Sequence, residues 1–330
     1  MTRDRHQLLL GRLDVLKAYG FPIIMVDGSS RPSDELQEAV EALGNVQYVP
    51  MPVSSFIDRA LKGMDRCGTD FVVPLSDDDT FSPACIADCA DFLASNGDYV
   101  AAQGSHWIKV YRRLWKRPQV VLEEYAPSLS AESPAARLLH HGAQYAHTYY
   151  AVHRGKTFIQ SIVNCQPLSD DSVCFELSQS FAVVGLGKVK RFVRPYSIRS
   201  SNSTEEWSRK FRFHPRIWAQ ADPEEFEETI AKFIGIIERM SPFADMETIN
   251  GRTVISIAIE RYIAGELNPR GTLHRRYRYL MRLLNATKMD IDAPRVIETL
   301  SRSRVAAGLM SAANRMLLEL GAGAPARRMA

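Results

Sequence analysis

The sequence predicts an α/β fold in which helices flank a mostly parallel sheet, followed by a helical region. Over roughly the first 110 residues, short apolar runs alternate with segments of helical periodicity, as in successive βαβ units. After residue 222, four long segments show helical periodicity with no strand between them. Ligands of parallel sheets bind beyond the carboxyl ends of the strands, so polar residues at those ends are candidate site residues.

The apolar patterns predict each element in order. Ser33 and Asp34 are alternative N-caps of the second helix, and Asp34 with Gln37 resembles a capping box. Segments 147–154 and 187–199 are typical of strands, and 200–211 of a polar loop. The strands of the first part are predicted at 21–27, 46–51, 71–76 and 99–112, and the helices at 6–20, 33–45, 54–68, 82–97, 132–146 and 170–185.

Composition limits the class of protein. The 330 residues are 45% hydrophobic and 24% charged, which is typical of a globular protein. The net charge of +3 is too small to indicate nucleic-acid binding, and no apolar run approaches the roughly 18 residues of a membrane span. Five cysteines without a CxxC pair predict free thiols, and these fit the cytoplasm. The expected organisation is a sheet domain over 1–205, a helical region over 206–320 and a flexible tail over 321–330.

The stretch SDDDTF (76–81) places three carboxylates directly after a buried strand. Adjacent carboxylates repel one another unless solvent or a cation relieves the repulsion. Hard divalent ions take carboxylate oxygens together with substrate phosphates, so one interpretation is a metal–diphosphate site. The alternative is a solvated turn that caps the next helix. The spacing does not fit the aspartate motif of haloacid-dehalogenase phosphatases.

A similar arrangement follows the strand over 21–27, which ends in VDGSS (26–30). Gly28 permits a sharp turn beside a ligand, and the Asp27 carboxylate can accept hydrogen bonds from a base or ribose. The alternative is an ordinary βα turn with local side-chain caps.

Taken in order, TRDR (2–5), VDGSS and LSDDDTFSP (75–83) resemble the motifs of family 2 glycosyltransferases of the GT-A fold, over roughly residues 2–200. That family typically reads PTxNR, VDDGS and LDxDD followed by proline, and the nearest resemblance is to bacterial glycosyltransferase-domain proteins. The resemblance implies an inverting transfer of a sugar, hexosyltransferase-like, from a nucleotide-diphosphate sugar with the help of Mg²⁺ or Mn²⁺. A glycan or lipid-linked acceptor and a role in bacterial surface polysaccharide synthesis are implied as well.

The resemblance also implies roles for single residues. Thr2 and Arg5 would lie along the nucleotide, and Asp27, with Gly28 and Ser29 in its motif, would meet the nucleobase. Asp77 would lie by the ribose or metal. Asp78 would ligate the metal that bridges the diphosphate, with Asp79 beside it as in a DXD motif.

A catalytic base is implied at the start of a later helix, where the family has an acidic pair. The matching stretch is SDDSVCFEL (169–177), so Asp171 is the first candidate, Asp170 the second and Glu176 the third. The alternative is that Asp170 and Asp171 only stabilise the helix N-terminus electrostatically.

The sequence departs from the family pattern in three places. Ser76 replaces the first aspartate of LDxDD, and 194–203 contain no histidine for the metal, so Arg199 or Asn202 would contact the phosphates instead. The family's first strand precedes TRDR and lies in mid-sheet, whereas here only Met1 precedes it. The resemblance therefore implies either a start upstream of Met1 or a sheet without that strand.

The sequence is also compatible with two other classes of function. A non-catalytic protein that binds a nucleotide or glycan fits the departures, and another metal-dependent phosphoryl-transfer enzyme or hydrolase fits the carboxylates. The basic and aromatic stretches 109–117 and 274–282 are typical of a solvated face, or of contact with an anionic membrane surface or lipid phosphate. No nucleic-acid partner is expected.

Overall fold

The computed structural model describes residues 1–110, 119–124, 126–169, 172–200, 223–240 and 251–267. The strands are β1 (Ile23–Asp27), β2 (Val46–Pro50), β3 (Phe71–Val72), β4 (Thr80–Phe81), β5 (Tyr99–Val110), β6 (Gln119–Glu124), β7 (Val152–Arg154) and β8 (Lys188–Ser200). The helices are α1 (His6–Leu10), α2 (Leu13–Ala18), α3 (Asp34–Glu41), α4 (Phe56–Asp65), α5 (Pro83–Ser95), α6 (Pro134–Ala143), α7 (Gly155–Cys165), α8 (Ser172–Leu186), α9 (Pro223–Met240) and α10 (Gly251–Leu267), with a 3-10 helix at Gln166–Leu168.

The described strands form two sheets. The first sheet contains β1 and β2, which pair in parallel. The spatial order of strands in the second sheet is β3, β7, β5, β8, β4, and β6 pairs with β5 beside this row. In the second sheet β5 and β8 run parallel, and the other pairs are antiparallel. The α/β class is confirmed, but the sheet is mixed rather than mostly parallel. One cause is that β6 follows β5 after a short connection, and short connections join antiparallel strands.

Serine caps set the starts of three helices as their sequences indicate. Ser33 accepts a hydrogen bond from the Leu36 N–H at the start of α3, so the alternative cap at Asp34 is not used. Ser55 and Asp58 form a capping box at α4, and Ser82 caps α5 just before its first-turn proline. Each capped helix follows a strand in the chain: α3 follows β1, α4 follows β2 and α5 follows β4.

Two predicted elements differ in the structure. The helix expected over 6–20 is broken between α1 and α2, where Gly11 is a weak helix former and Arg12 bonds to the chain at Asp78. The strand expected over 71–76 is only two residues long, because Pro74 donates no backbone hydrogen bond and β3 pairs with β7 alone among the described strands.

Helices α9 and α10 belong to the predicted helical region, and both pack on the sheet domain. Phe233 of α9 and Ile255 of α10 share a buried apolar cluster with Phe181 of α8 and Leu138 of α6. Gly142 of α6 lies against α10 so closely that an added Cβ would stand 2.0 Å from the Ala258 carbonyl oxygen. The predicted boundary after residue 205, the loop over 200–211 beyond Ser200, and the helices predicted beyond residue 267 lie outside the described residues. None of the described helices is long and apolar enough to cross a membrane.

A large apolar cavity separates β1 from β3. Its volume is about 1250 Å³, and its walls include Val26 of β1, Phe71 of β3, Val73, and Ile86 of α5. The buried side chains around β1 and β2 form one apolar cluster, and those around α5 and β5 form another. Apolar residues 71–73 and 75 remain only half-buried because they face this cavity.

Candidate functional site

Thr2 joins the two predicted strand ends. Its backbone N–H donates to the Val26 carbonyl at 3.0 Å, and its carbonyl accepts from the Gly28 N–H at 3.0 Å. Its hydroxyl donates to Asp77 Oδ2 at 2.9 Å. The loop after β1 and the aspartate loop (76–79) therefore lie side by side, as the sequence predicted from their positions at strand ends.

The Arg5 guanidinium forms ion pairs with two carboxylates of the aspartate loop. Its Nη1 lies 2.7 Å from Asp77 Oδ1 and 3.1 Å from Asp78 Oδ2. The Asp77 and Asp78 side chains are largely buried, so these ion pairs are less screened than surface pairs. Thr2 and Arg5 therefore lie beside the aspartates, and their predicted contact with a nucleotide stays a prediction.

Asp27 lies at the end of β1 and is fully buried. Its Oδ1 accepts from the backbone N–H and the hydroxyl of Ser29, and its Oδ2 accepts from the Tyr48 hydroxyl and lies 3.0 Å from His6 Nε2. Burial alone would raise the pKa of Asp27, but the hydrogen bonds from Ser29, Tyr48 and His6 outweigh burial and hold this pKa below 3.8.

These bonds use the acceptor sites of the Asp27 carboxylate within the protein. Asp27 therefore organises the loop that carries Gly28 and Ser29, and direct contact with a nucleobase stays a prediction. Ser29 is itself buried and accepts from the Asp4 N–H at 2.7 Å, so it links the loop to the TRDR segment.

Gly28 packs closely against the side chain of Arg59. An added Cβ would lie 2.3 Å from Arg59 Nη1, because the Arg59 side chain lies across this glycine. Arg59 is buried, and its Nη1 donates to the Ser54 carbonyl at 2.7 Å. A guanidinium thus stands beside the VDGSS loop, where it can attract an anionic group such as a phosphate.

The backbone of the aspartate loop is held by Arg12. Its Nη1 donates to the Asp78 carbonyl at 2.9 Å, its Nη2 donates to the Asp79 carbonyl, and Nη2 lies 3.3 Å from Thr80 Oγ1. Ser76, which stands where the family has an aspartate, donates its hydroxyl to Asp78 Oδ1. The loop geometry therefore depends on α1 and α2 as well as on its own strand.

Arg12→Ala is expected to lower kcat/KM about 10- to 100-fold for the sugar transfer that the sequence resemblance implies, because the loop loses its charged donor to two carbonyls. Steady-state kinetics with varied donor will measure this effect. Arg239→Ala on the exposed side of α9 is the matched control and should leave kcat/KM unchanged. Equal activity of the Arg12 variant and the control would contradict the assigned role.

The aspartates are a fitting donor set for a divalent cation. No three His, Cys, Asp or Glu side chains in the described part of the chain are placed to hold a metal by themselves. Mg²⁺, however, commonly takes one or two carboxylates and completes its shell with water and substrate phosphates. Asp78 and Asp79 supply such carboxylates, and Arg199 Nε lies 3.9 Å from Asp79 Oδ2. Since Arg5 already pairs with Asp78, a cation there would compete with Arg5.

The first two base candidates, Asp170 and Asp171, lie outside the described residues. The third, Glu176, lies in α8 and its Oε1 accepts from the Tyr150 hydroxyl at 3.3 Å. Burial, and then the Glu176 charge, raise the pKa of Tyr150 well above its ordinary value, so Tyr150 remains a donor. The Tyr150 ring packs against Phe81, two residues after Asp79, and this contact brings Glu176 near the aspartate loop.

Several residues at the site carried no signal in the sequence. His6, Arg12, Tyr48, Arg59 and Tyr150 belong to helices, strands or loops whose patterns indicate only secondary structure. Most of their partners lie tens of positions away along the chain, so spacing gives no indication of them. Arg5 differs from these residues, because it lies within the TRDR motif and could be chosen from the sequence.

The chain is similar to a known protein family over part of its length and to solved structures over most of it. Residues 3–160 match the family model described as glycosyl transferase family 2. No curated protein matches the chain. The chain is similar to the crystal structure of S. aureus TarS 1–349, with 12% identity and a TM-score of 0.51 over 86% of this chain and 77% of that one.

The structure of TarS 1–349 in complex with UDP is also similar, with 12% identity and a TM-score of 0.52 over 97% of this chain and 87% of that one. At this identity the likeness shows the fold, and it confirms the predicted GT-A-like architecture. Residues 3–160, which carry both loops of the site, are similar to glycosyl transferase family 2.

Proposed function

We propose that the chain transfers a sugar from a nucleotide-diphosphate donor to a glycan or lipid-linked acceptor. The observation that carries this proposal is the convergence of Thr2, Arg5, Asp77 and Asp78 beside the Gly28 loop. The family match over the same residues supports the glycosyltransferase class. Because TarS 1–349 was solved with UDP, a UDP-sugar is the first donor to test.

The chemistry follows from charge. Negative charge grows on the departing nucleoside diphosphate, and Asp78 and Asp79 would hold a Mg²⁺ or Mn²⁺ ion that stabilises it as a Lewis acid. Arg5 and Arg59 lie near the same loops and can position phosphate oxygens. The metal requirement, the residues that bind the nucleotide and the hexosyl nature of the sugar are part of the proposal.

An inverting transfer needs a base opposite the leaving group, to accept the proton of the acceptor hydroxyl. We assign this role to Asp171, with Asp170 second, at the start of α8. Glu176 follows in the first part of α8 and is the third candidate, and its bond from Tyr150 fits a residue that orients the acceptor. In all three assignments the acceptor side of the site would come from α8 or from the residues just before it in the chain.

A cytoplasmic location is also part of the proposal. Cys67, Cys85, Cys89, Cys165 and Cys174 are all free thiols, and free thiols persist in a reducing compartment. Contact with the inner face of a membrane, through the basic stretch that begins at Lys109 or the one over 274–282, would bring the protein to a lipid-linked acceptor.

Thermal stability with a panel of UDP-, GDP-, CMP- and dTDP-sugars, with and without Mn²⁺, tests the donor site. A donor present at about 100 times its Kd should stabilise the fold by about 2.7 kcal/mol. Release of nucleoside diphosphate is then followed with and without a glycan acceptor. Stabilisation by no nucleotide would refute the donor site, and release that never depends on acceptor would indicate a hydrolase.

A nucleotide- or glycan-binding protein without transfer activity is the second candidate. The pairing of Arg5 with both Asp77 and Asp78 favours it, because part of the aspartate charge is already compensated without a metal. Donor binding that is equally strong with and without Mn²⁺, together with no transfer, would support this candidate.

A further inference from the structure

The chain just before β7 is held against α8 by hydrogen bonds. The Thr148 N–H donates to Ser180 Oγ at 3.1 Å, and the Tyr150 hydroxyl donates to Glu176 Oε1 at 3.3 Å. Tyr149 stands between these two anchored residues, and only 3% of its surface is exposed. The position of Tyr149 is therefore fixed by the residues on either side of it.

The Tyr149 ring connects α4 with α8. Its centroid lies 6.1 Å from that of Phe56 in α4 and 6.2 Å from that of Phe175 in α8. About one turn after Phe56, α4 carries Arg59, whose side chain lies across the VDGSS loop. Tyr149 thus lies between the helix that carries Arg59 and the helix that carries Glu176.

Two buried polar groups of this region have no hydrogen-bond partner among the residues that the structure describes. They are the Tyr149 hydroxyl and Arg59 Nε. A guanidinium N–H can only donate. Burial, and then the Glu176 charge, raise the pKa of Tyr149 well above its ordinary value against the smaller opposing effect of Arg59, so the hydroxyl keeps its proton. An unpaired buried donor costs free energy, and an acceptor atom of a ligand would remove this cost.

Charge favours a phosphate oxygen as that acceptor. Arg59 extends to the VDGSS loop, where an added Cβ on Gly28 would stand 2.3 Å from its Nη1, and Arg59 and Tyr149 lie close enough to influence each other's pKa. A phosphate oxygen accepts hydrogen bonds without donating, and its negative charge pairs with a guanidinium. The Glu176 carboxylate repels an anion on the α8 side, so the oxygen would lie on the Arg59 side.

We propose that the Tyr149 hydroxyl and Arg59 Nε donate to a phosphate oxygen of the nucleotide-diphosphate sugar. The inference rests on the proposed function, because that sugar donor supplies the phosphate. When the bond between sugar and diphosphate breaks, its electron pair goes to the diphosphate, and Tyr149 keeps its proton. The hydrogen bond from Tyr149 strengthens as this negative charge grows, so the hydroxyl would favour the transition state as well as donor binding.

The test is Tyr149→Phe, which keeps the packed ring and removes only the hydroxyl. Titration calorimetry with UDP, GDP and dTDP is expected to show about 10-fold weaker binding of whichever diphosphate the unsubstituted chain binds. The melting temperature without ligand should stay equal or rise, because the hydroxyl that is removed had no partner. Tyr99→Phe, at the half-buried start of β5, is the matched control and should change neither quantity.

Equal affinity of Tyr149→Phe and the unsubstituted chain for the same diphosphate would overturn the inference and leave the proposed function intact. A lower melting temperature with unchanged affinity would also overturn it, because the hydroxyl would then serve the fold. So would an equally large loss with the nucleoside alone, which would place the contact at the base or ribose. If the unsubstituted chain binds none of the three diphosphates, the proposed function fails and the inference fails with it.

Discussion

Asp78→Asn is expected to reduce sugar transfer about 100- to 1000-fold, while the melting temperature without ligands changes little. The substitution keeps the size of the side chain and removes a charge at the position where the proposed cation and diphosphate meet. The new amide keeps an oxygen that can accept from Arg5 or from the Ser76 hydroxyl, so the effect on folding is modest. Transfer of labelled sugar, measured at saturating donor, is the readout.

Asp91→Asn on the exposed side of α5 is the control for the same chemical change. It should leave both transfer and donor binding at the level of the unsubstituted chain. A second readout is the gain in melting temperature caused by donor with Mn²⁺, which should disappear in Asp78→Asn alone. An active Asp78→Asn enzyme that still responds to Mn²⁺ would refute the assignment of Asp78 as metal ligand.

Asp27→Ala is expected to lower the free energy of unfolding by about 3 kcal/mol, the largest stability effect at the site. The buried Tyr48 hydroxyl, the Ser29 groups and the His6 ring all lose their acceptor. Urea unfolding at neutral pH measures the change. Asp98→Ala is the control, because Asp98 is exposed and solvent screens its pair with Lys188, so the free energy of unfolding should change little.

The stabilising effect of Asp27 should also depend on pH. Its pKa in the folded chain lies below the ordinary value of 3.8, so its ionised form stabilises the fold. This contribution is complete above about pH 4 and is lost as pH falls through the folded pKa. The difference in stability between the unsubstituted chain and Asp27→Asn should therefore shrink below pH 4. A difference that stays constant down to pH 2 would contradict this account.

Features of the fold that depend on neighbours in the chain were predictable, whereas contacts between distant residues were not. Local features were predictable: Ser55 caps α4, α5 begins at Pro83, and Asp27 ends β1, because each depends on neighbours in the chain. The adjacency of the two polar loops was predicted on the assumption that their strands share one sheet. The loops do lie together, but β1 and β3 belong to different sheets and Thr2 joins the two loops. The match of residues 3–160 to the model of glycosyl transferase family 2 confirms the resemblance that these motifs indicated.

By itself, then, the sequence determined the helices with clear caps, the α/β class and the aspartate residues of the candidate site. The tertiary structure alone decided that Arg12 holds the aspartate loop, that Tyr48 and His6 surround Asp27, and that β5 pairs in parallel with β8. It also decided the short length of β3 and the cavity beside it. The reason is that periodicity and caps record interactions within a few residues, whereas these contacts join positions tens of residues apart.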